Sequence, residues 1–217
     1  SRGVADDLAE TGVPRRLLAP TTNPVVSDEL LARAREPLDH PWFAEGERPV
    51  VVAAGRITEQ KDFGTLVRAF ARLRETHDVR LVIVGDGDTK KRRELERLIR
   101  ELELDEHVSL AGFVTNPFQY MARASLFVLS SAWEGLPGVL IQALACGAPV
   151  VSTDCPSGPS EILEGGAHGR LVPVGDVEAL AKAMADTLDS PPDRAGLAKR
   201  GAEFAVDPAV DRMLALL

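Results

Sequence analysis

Three charged residues lie in loops with glycine nearby, where their side chains can reach a ligand. Arg56 and Lys61 are five residues apart in GRITEQKD. An arginine fork and a lysine point charge can together bind a diphosphate, although basic loop residues are also common on plain solvated surfaces. Glu134 directly precedes the Gly-Leu-Pro-Gly turn that opens an apolar helix. Its carboxylate can cap that helix, or it can accept hydrogen bonds from the hydroxyls of a sugar.

Gln142 is a polar residue within the otherwise apolar segment VLIQALA. It comes eight residues after Glu134. On one helix this is just over two turns, so we expect both side chains to point the same way. An amide in apolar surroundings needs a hydrogen-bond partner, which can be either a backbone group or a ligand hydroxyl.

The elements that must position these residues alternate between buried strand and helix. Continuous apolar runs predict strands at 49–55, 79–88, 107–114, 125–131, 148–153 and 169–176. Helical spacing and turn signals predict helices at 61–77, 90–104, 116–124, 136–147, 158–166 and 176–190. This alternation indicates an α/β fold with a doubly wound, Rossmann-like parallel sheet. Ligands of such sheets lie beyond the carboxyl ends of the strands, and the loops that carry Arg56, Lys61 and Glu134 follow strands.

The composition and the motifs disfavour several classes of protein. A formal net charge of −8 at pH 7 argues against a general nucleic-acid surface. No apolar run approaches the roughly 18 residues of a membrane-spanning helix. The histidines are scattered and Cys146 and Cys155 lack metal-site spacing, so we expect no metal and two reduced, structural thiols. The missing Gly-x-Gly-x-x-Gly after the first strand disfavours an NAD-dependent enzyme, and no Gly-x-Ser-x-Gly elbow occurs.

Taken together, the segments after residue 48 resemble the C-terminal, donor-binding domain of GT-B retaining glycosyltransferases of the family-four group. The resembling segments are GRITEQKDF, LVIVGDG, VSLAGFVTNP, ASLFVLSSAWEGLPGVLIQALACGAPVVSTDCPSGPSEIL and GRLVPVGDVEALAKAM. They follow in unbroken order over residues 49–190, which is more specific than any single motif. The resemblance implies an enzyme that transfers a sugar from a nucleotide diphosphate sugar to an unknown acceptor. We expect a UDP-sugar donor and no metal or other cofactor.

The resemblance also implies roles for individual residues. Arg56 and Lys61 match the family's loop that grips the donor diphosphate, and Glu134 matches the first Glu of its Glu-x7-Glu pattern. We therefore expect these three residues to be catalytic. The further positions expected to bind the substrate are Gly55, Gly85, Phe113, Val114, Asn116, Leu136, Gly138, Val139 and Gln142.

Within this set the resemblance assigns parts of the donor to different loops. The loop after the third strand is expected to present its backbone to the base. The amides at the start of the helix after Glu134 are expected to reach the β-phosphate. Gln142 departs from the family pattern, which has a second Glu there that accepts hydrogen bonds from the ribose. An amide still accepts one such bond and donates another, so we expect weaker or rearranged ribose binding.

The resemblance further implies a division of the chain. Residues 1–48 are expected to be the tail of an N-terminal domain and the interdomain segment, and 49–200 the nucleotide-sugar-binding domain. Residues 201–217 are expected to form a helix that packs toward the N-terminal domain. The sequence begins without methionine, so we expect a piece of a longer enzyme, inactive alone, whose acceptor binds the other domain. We expect a cytoplasmic location, with peripheral membrane association of the full-length protein.

Two other classes of function stay open at this point. One is a nucleotide-binding module without catalysis. The other is a sugar-nucleotide epimerase of GT-B form, which needs an acidic and a basic carboxylate at the donor sugar. Glu134 and, more distantly, Glu161 are the carboxylates that could form such a pair.

Overall fold

The fold is built on one six-stranded parallel sheet. The computed structural model describes residues 1–21, 23–206, 210 and 214. The strands are β1 Val50–Ala54, β2 Arg80–Val84, β3 Val108–Gly112, β4 Leu126–Leu129, β5 Val150–Thr153 and β6 Arg170–Val172. They lie in the order β3-β2-β1-β4-β5-β6, and every neighbouring pair is parallel. The expected doubly wound, Rossmann-like α/β fold is therefore confirmed.

Helices cover both faces of the sheet. The α-helices are α1 Arg2–Glu10, α2 Asp28–Arg35, α3 Phe63–Arg74, α4 Thr89–Glu101, α5 Phe118–Arg123, α6 Gly138–Ala145, α7 Pro159–Ile162, α8 Val177–Asp189 and α9 Arg194–Ala202. Helices α3, α4 and α8 share one apolar core with the sheet, and α2, α5, α6 and α9 share the other. Among the described residues, six helices have side-chain caps, from Ser1, Ser27, Asp62, Asp88, Asp176 and Asp193.

The central strand β1 shows why its sequence is a continuous apolar run. Val51 and Ala53 belong to the core on the face of α3, whereas Val52 and Ala54 belong to the core on the opposite face. Successive side chains of a strand point to opposite faces, and here helices cover both of them. Burial on both sides therefore replaces the alternation of apolar and polar residues seen in half-exposed strands.

The winding of the sheet reverses between β1 and β4. The chain adds β2 and β3 on one side of β1, and then β4, β5 and β6 on the other. The loops that follow β1 and β4 diverge at such a point and leave a crevice between them. These loops are residues 55–62 and 130–137, the same segments that carry Arg56, Lys61 and Glu134. The topology thus brings the three candidate residues to one place.

The segment before β1 contributes to the folded unit. Val26 forms an isolated parallel bridge with Ala205, and Val26, Leu30 and Ala34 are buried. Helix α2 packs on α5. Residues 26–35 are thus packed on the folded unit, and the assignment of residues 1–48 to the tail of another domain and an interdomain segment stays a prediction.

Two expectations concern the end of the chain and the membrane. Helix α9 ends at Ala202, and most of the expected terminal helix over 201–217 lies outside the described residues. Its packing toward another domain stays a prediction. No helix within the described residues is both long and apolar enough to cross a bilayer.

Two glycines let the chain segments that leave β1 and β2 run against each other. The Gly55 amide donates to the Val84 carbonyl oxygen at 2.9 Å, and the Gly85 amide donates to the Gly112 carbonyl oxygen at 2.8 Å. Gly85 has a φ of +132°, and a Cβ added there would overlap the carbonyl group of Gly55. Only glycine allows this approach, because it has neither the side chain nor the steric restriction on φ.

We expect Gly85→Ala to lower the free energy of unfolding by at least about 2 kcal/mol more than Gly12→Ala does. Gly12 also has a positive φ, +102°, but no atom lies within 4 Å of a Cβ added there. The control therefore carries backbone strain without overlap. Urea denaturation of both variants measures the difference, and equal losses of stability would contradict the close approach.

Candidate functional site

A cavity of about 330 Å³ lies at the carboxyl ends of β1 and β2, beside the reversal of the sheet. Eight of the residues expected to contact a donor line it: Gly55, Arg56, Lys61, Gly85, Phe113, Val114, Val139 and Gln142. The other lining residues are Ala54, Val84, Asp86, Pro117 and Met121. Its walls combine apolar side chains with a few convergent polar groups, which is typical of small-ligand sites.

A buried ion pair joins the two loops that flank the reversal of the sheet. Lys61 Nζ donates to Glu134 Oε1 at 2.5 Å, and the two side chains are only 15 % and 8 % exposed. The side chain of Lys61 also lies against Gly55, whose added Cβ would sit 3.0 Å from Lys61 Cε. Lys61 therefore lines the cavity, and its ammonium group is at the same time paired with the Glu134 carboxylate.

Further hydrogen bonds fix Glu134 from its own side of the crevice. Ser131 Oγ donates to Glu134 Oε1 at 2.7 Å. Thr153 Oγ1, at the end of β5, donates to the Ser131 carbonyl oxygen at 2.6 Å. This chain of contacts ties the carboxylate to two neighbouring strands. Glu134 is thus held in position before any ligand binds.

Gln60 binds three consecutive residues of the opposite loop. Its carbonyl oxygen accepts the Ala132 amide at 2.8 Å. Its Nε2 donates to the Trp133 carbonyl oxygen at 3.0 Å and, more weakly, to Glu134 Oε2 at 3.4 Å. The loops with the cations and with the carboxylate are therefore one connected unit.

Arg56 differs from Lys61 in its surroundings. It is exposed, and within the described part of the chain no carboxylate pairs with its guanidinium. A guanidinium without a protein partner can form two parallel hydrogen bonds to a phosphate. Arg56 therefore supplies the uncompensated positive charge of the cavity wall.

Gln142 projects from α6 and lines the cavity, and no hydrogen bond of its side chain occurs within the described residues. Glu134 lies four residues before the start of α6 at Gly138, so the two are not related by helical spacing. That expectation is wrong, because Pro137 is the residue that precedes the helix and the carboxylate lies in the loop. Loop contacts to Lys61 bring Glu134 near the cavity instead.

Asn116 is buried and does not line the cavity; we had expected its backbone to face the base, and that stays a prediction. Its Nδ2 donates to the Arg33 carbonyl oxygen at 2.9 Å and to Glu36 Oε2 at 2.8 Å. These contacts hold the loop after β3 against α2, which is a structural role. Phe113, in the same loop, is 79 % exposed and stands at the rim of the cavity.

Three other expected residues do not line the cavity. Glu134 contacts it through Lys61, Leu136 is half-buried against the core on the α6 face, and Gly138 is the first residue of α6. Sequence reasoning also missed residues that do line it. Asp86 follows β2 in GDGD and could have been found from that position, whereas Met121 looks like an ordinary core residue of a helix.

Cys155, next to this network, is a buried thiol. Burial and the nearby Glu134 charge raise its pKa to about 11. The thiol is therefore neutral at pH 7 and unsuited to act as a nucleophile. Across the described residues no three His, Cys, Asp or Glu side chains are grouped so that they could hold a metal ion.

A larger cavity, of about 810 Å³, lies between the start of α1 and the loop after β5. It contains Glu161, whose Oε2 accepts the Arg2 amide at 2.9 Å. It shares none of its lining with the cavity of Arg56. The smaller cavity is the better candidate because the cations and the reversal of the sheet coincide there.

Comparison with known proteins agrees with this geometry. A family model for glycosyl transferases group 1 matches residues 48–190. The chain belongs to the glycosyl transferases group 1 family. The resemblance expected from the loop segments is thereby confirmed, and the matched range spans β1 to β6 and the whole cavity.

Relatives of this group 1 chain are longer than it is. The lipopolysaccharide core biosynthesis glycosyltransferase LpsE of Rhizobium meliloti is 33 % identical over 220 residues, which cover 99 % of this chain and 62 % of LpsE. An uncharacterized glycosyltransferase of Methanocaldococcus jannaschii is 41 % identical over 140 residues, 63 % of this chain and 34 % of that protein. The chain thus spans less than two thirds of either relative.

Solved structures share the fold of the group 1 chain. Anabaena HepE, in complex with UDP and glucose, superposes with a TM-score of 0.81 at 22 % identity, covering 100 % of this chain and 60 % of HepE. A glycosyltransferase from Rickettsia africae gives a TM-score of 0.87 at 17 % identity, with 100 % and 61 % covered. At these identities the superpositions establish the fold.

We expect Lys61→Met to lower the free energy of unfolding by roughly 2–4 kcal/mol, because it leaves the buried Glu134 carboxylate without its cation. The second substitution Glu134→Gln removes that charge and should restore most of the loss. A double-mutant cycle measured by urea denaturation tests this. If Lys61→Met is as stable as the parent chain, the pair is not a buried interaction in solution.

Proposed function

We propose that this chain is the donor-binding part of a retaining glycosyltransferase that uses a nucleotide diphosphate sugar. In this proposal the cavity beside the reversal of the sheet holds the nucleotide and its diphosphate. The observation that carries it is the meeting of Arg56, Lys61 and Gln142 around one cavity. Membership of the family supports it, since glycosyltransferases transfer sugars from activated donors.

The cations have complementary parts in the proposal. Arg56 binds the diphosphate through its planar guanidinium. Lys61 has three N–H donors and uses one of them on Glu134, so others can reach a phosphate oxygen. The amides at the start of α6 add partial positive charge near the same point. Together these groups stabilise the negative charge that develops on the leaving diphosphate.

Glu134 links the diphosphate to the transferred sugar. A carboxylate repels phosphate, and its attraction to Lys61 sets that lysine in place. Two of its contacts are made through Oε1, and within the described part of the chain Oε2 has only the long bond from Gln60. We therefore assign Oε2 to a hydroxyl group of the donor sugar, which needs a hydrogen-bond acceptor.

The nucleotide is assigned to the other end of the cavity. Phe113 and Val114 at the rim offer apolar surface to a base, and Gln142 offers its amide to the ribose. UDP is the nucleotide we propose, and its presence in the crystal structure of HepE, a protein of the same fold, supports that choice. The relatives named for lipopolysaccharide biosynthesis favour a saccharide or glycoconjugate acceptor.

The two other functions are less well supported. An epimerase needs two carboxylates at the donor sugar, and Glu161 lies in a different cavity from Arg56 and Lys61. A binding module without catalysis fits the same cavity, but the family match favours a transferase. Acceptor binding, a cytoplasmic location and peripheral membrane association stay predictions for the longer protein.

We expect calorimetric titration with UDP, GDP and ADP to show selective binding of UDP. Arg56→Ala should weaken that binding by about 30-fold, the loss of a charge-assisted, two-point contact. Arg68→Ala is the matched control, because Arg68 is an exposed arginine on α3 that lines a different groove. If none of the diphosphates binds, or if both variants lose affinity equally, the proposed donor site is wrong.

Gln142→Glu should tighten UDP binding by about fivefold, because a carboxylate accepts a stronger hydrogen bond from the ribose than an amide does. Titration with 2′-deoxy-UDP separates this effect from general changes, since the gain should shrink when the 2′-hydroxyl is absent. Weaker binding of both nucleotides would mean that repulsion between the new carboxylate and the diphosphate dominates.

A further inference from the structure

A second cavity adjoins the one proposed for the donor. It has a volume of about 420 Å³, and Arg56 lines both cavities. A ligand in the second cavity would therefore lie beside the diphosphate of a bound donor. In a transferase the acceptor has to reach the sugar carbon from which the diphosphate leaves. A cavity beside the diphosphate is therefore suited to the acceptor.

Trp133 is the aromatic residue of this second cavity, and it is 52 % exposed. Its backbone is fixed, since the Trp133 carbonyl oxygen accepts a hydrogen bond from Gln60 Nε2 and the preceding amide binds the Gln60 carbonyl oxygen. An indole ring held on a fixed loop but left open to solvent is a ready surface for stacking. Its π face attracts the C–H groups on the apolar face of a pyranose ring.

Polar groups surround the indole with nearly balanced charge. Arg56 and Lys91 are cationic, and Glu59 and Asp88 are anionic. Lys91 Nζ already pairs with Glu59 Oε1 at 2.7 Å. This balance favours a neutral ligand over an anion, in contrast to the first cavity, where Arg56 and Lys61 are accompanied by a single lining carboxylate, Asp86.

The carboxylates can also accept hydrogen bonds from hydroxyl groups. The contacts of Glu59 within the described residues use Oε1, and Asp88 caps α4 through Oδ1, which accepts from the Lys90 and Lys91 amides. The second oxygen of each carboxylate is therefore available to a ligand. One aromatic face beside several hydroxyl-binding groups is suited to a carbohydrate.

We propose that the Trp133 cavity is a subsite for one neutral pyranose ring of the acceptor, the rest of which we expect on the other domain. The acceptor role rests on the proposed function, because it assumes a donor bound beside Arg56. The sugar stacks on the indole, and Glu59 and Asp88 orient it through its hydroxyl groups.

Saturation-transfer NMR on the 217-residue chain tests this, with the methyl glycosides of glucose, galactose and mannose as probes. At least one glycoside should receive saturation through the C–H protons of one face, with UDP present. Trp133→Ala should weaken this binding about tenfold or more, and Trp133→Phe should retain most of it. UDP binding, measured by calorimetry on each variant, shows that the fold is intact.

The outcomes separate this proposal from the donor proposal. If UDP binds but no glycoside does, or if Trp133→Ala binds glycosides as well as the parent chain, the subsite is overturned and the donor site stands. If UDP-glucose displaces the glycoside but UDP does not, the probe occupies the donor's sugar position and the subsite is again overturned. If glycosides bind through Trp133 while UDP does not bind, the saccharide site stands and its acceptor role falls with the donor proposal.

Discussion

The ion pair between Lys61 and Glu134 is the interaction on which the candidate site depends. It spans the crevice where the sheet changes its direction of winding, and both partners are largely removed from water. Desolvating two charges offsets much of their attraction, so such a pair adds little net stability compared with apolar side chains. Its main effect here is on position. Gly55 leaves room for the lysine stem, Ser131 orients the carboxylate, and the flanking loops become one unit.

The pair also determines how charge is distributed in the cavity. Glu134 neutralises Lys61, which leaves Arg56 as the cation that a phosphate meets first. The chain as a whole carries a formal charge of −8, so attraction of the proposed anionic donor would depend on this local arrangement. The mostly apolar walls strengthen it, because charges interact more strongly where water is excluded. In the adjoining Trp133 cavity, Glu59 and Asp88 balance the charges of Arg56 and Lys91, which favours a neutral ligand there.

The sheet and the meeting of the strand-end loops could be predicted from the sequence, because both depend on local patterns. Apolar runs identify strands, and strand order then places Arg56, Lys61 and Glu134 at one edge. What could not be predicted depends on contacts between distant parts of the chain. Asn116 is buried by α2, whose residues precede it by about eighty positions. Likewise, no local signal indicates that Lys61 and Glu134, 73 residues apart, would pair.

If the proposed donor site is correct, the close approach of the Gly85 and Gly55 backbones has a consequence for how donor specificity can evolve. Two backbones in contact at the ends of β1 and β2 form a floor that cannot be reshaped by side-chain substitution, since neither position tolerates a larger residue. The rim is different: Phe113 and Val114 belong to a loop whose exposed residues carry no such restriction. On the proposed assignment, divergence toward another nucleobase would therefore be concentrated in the loop after β3, while the proposed phosphate end would change little.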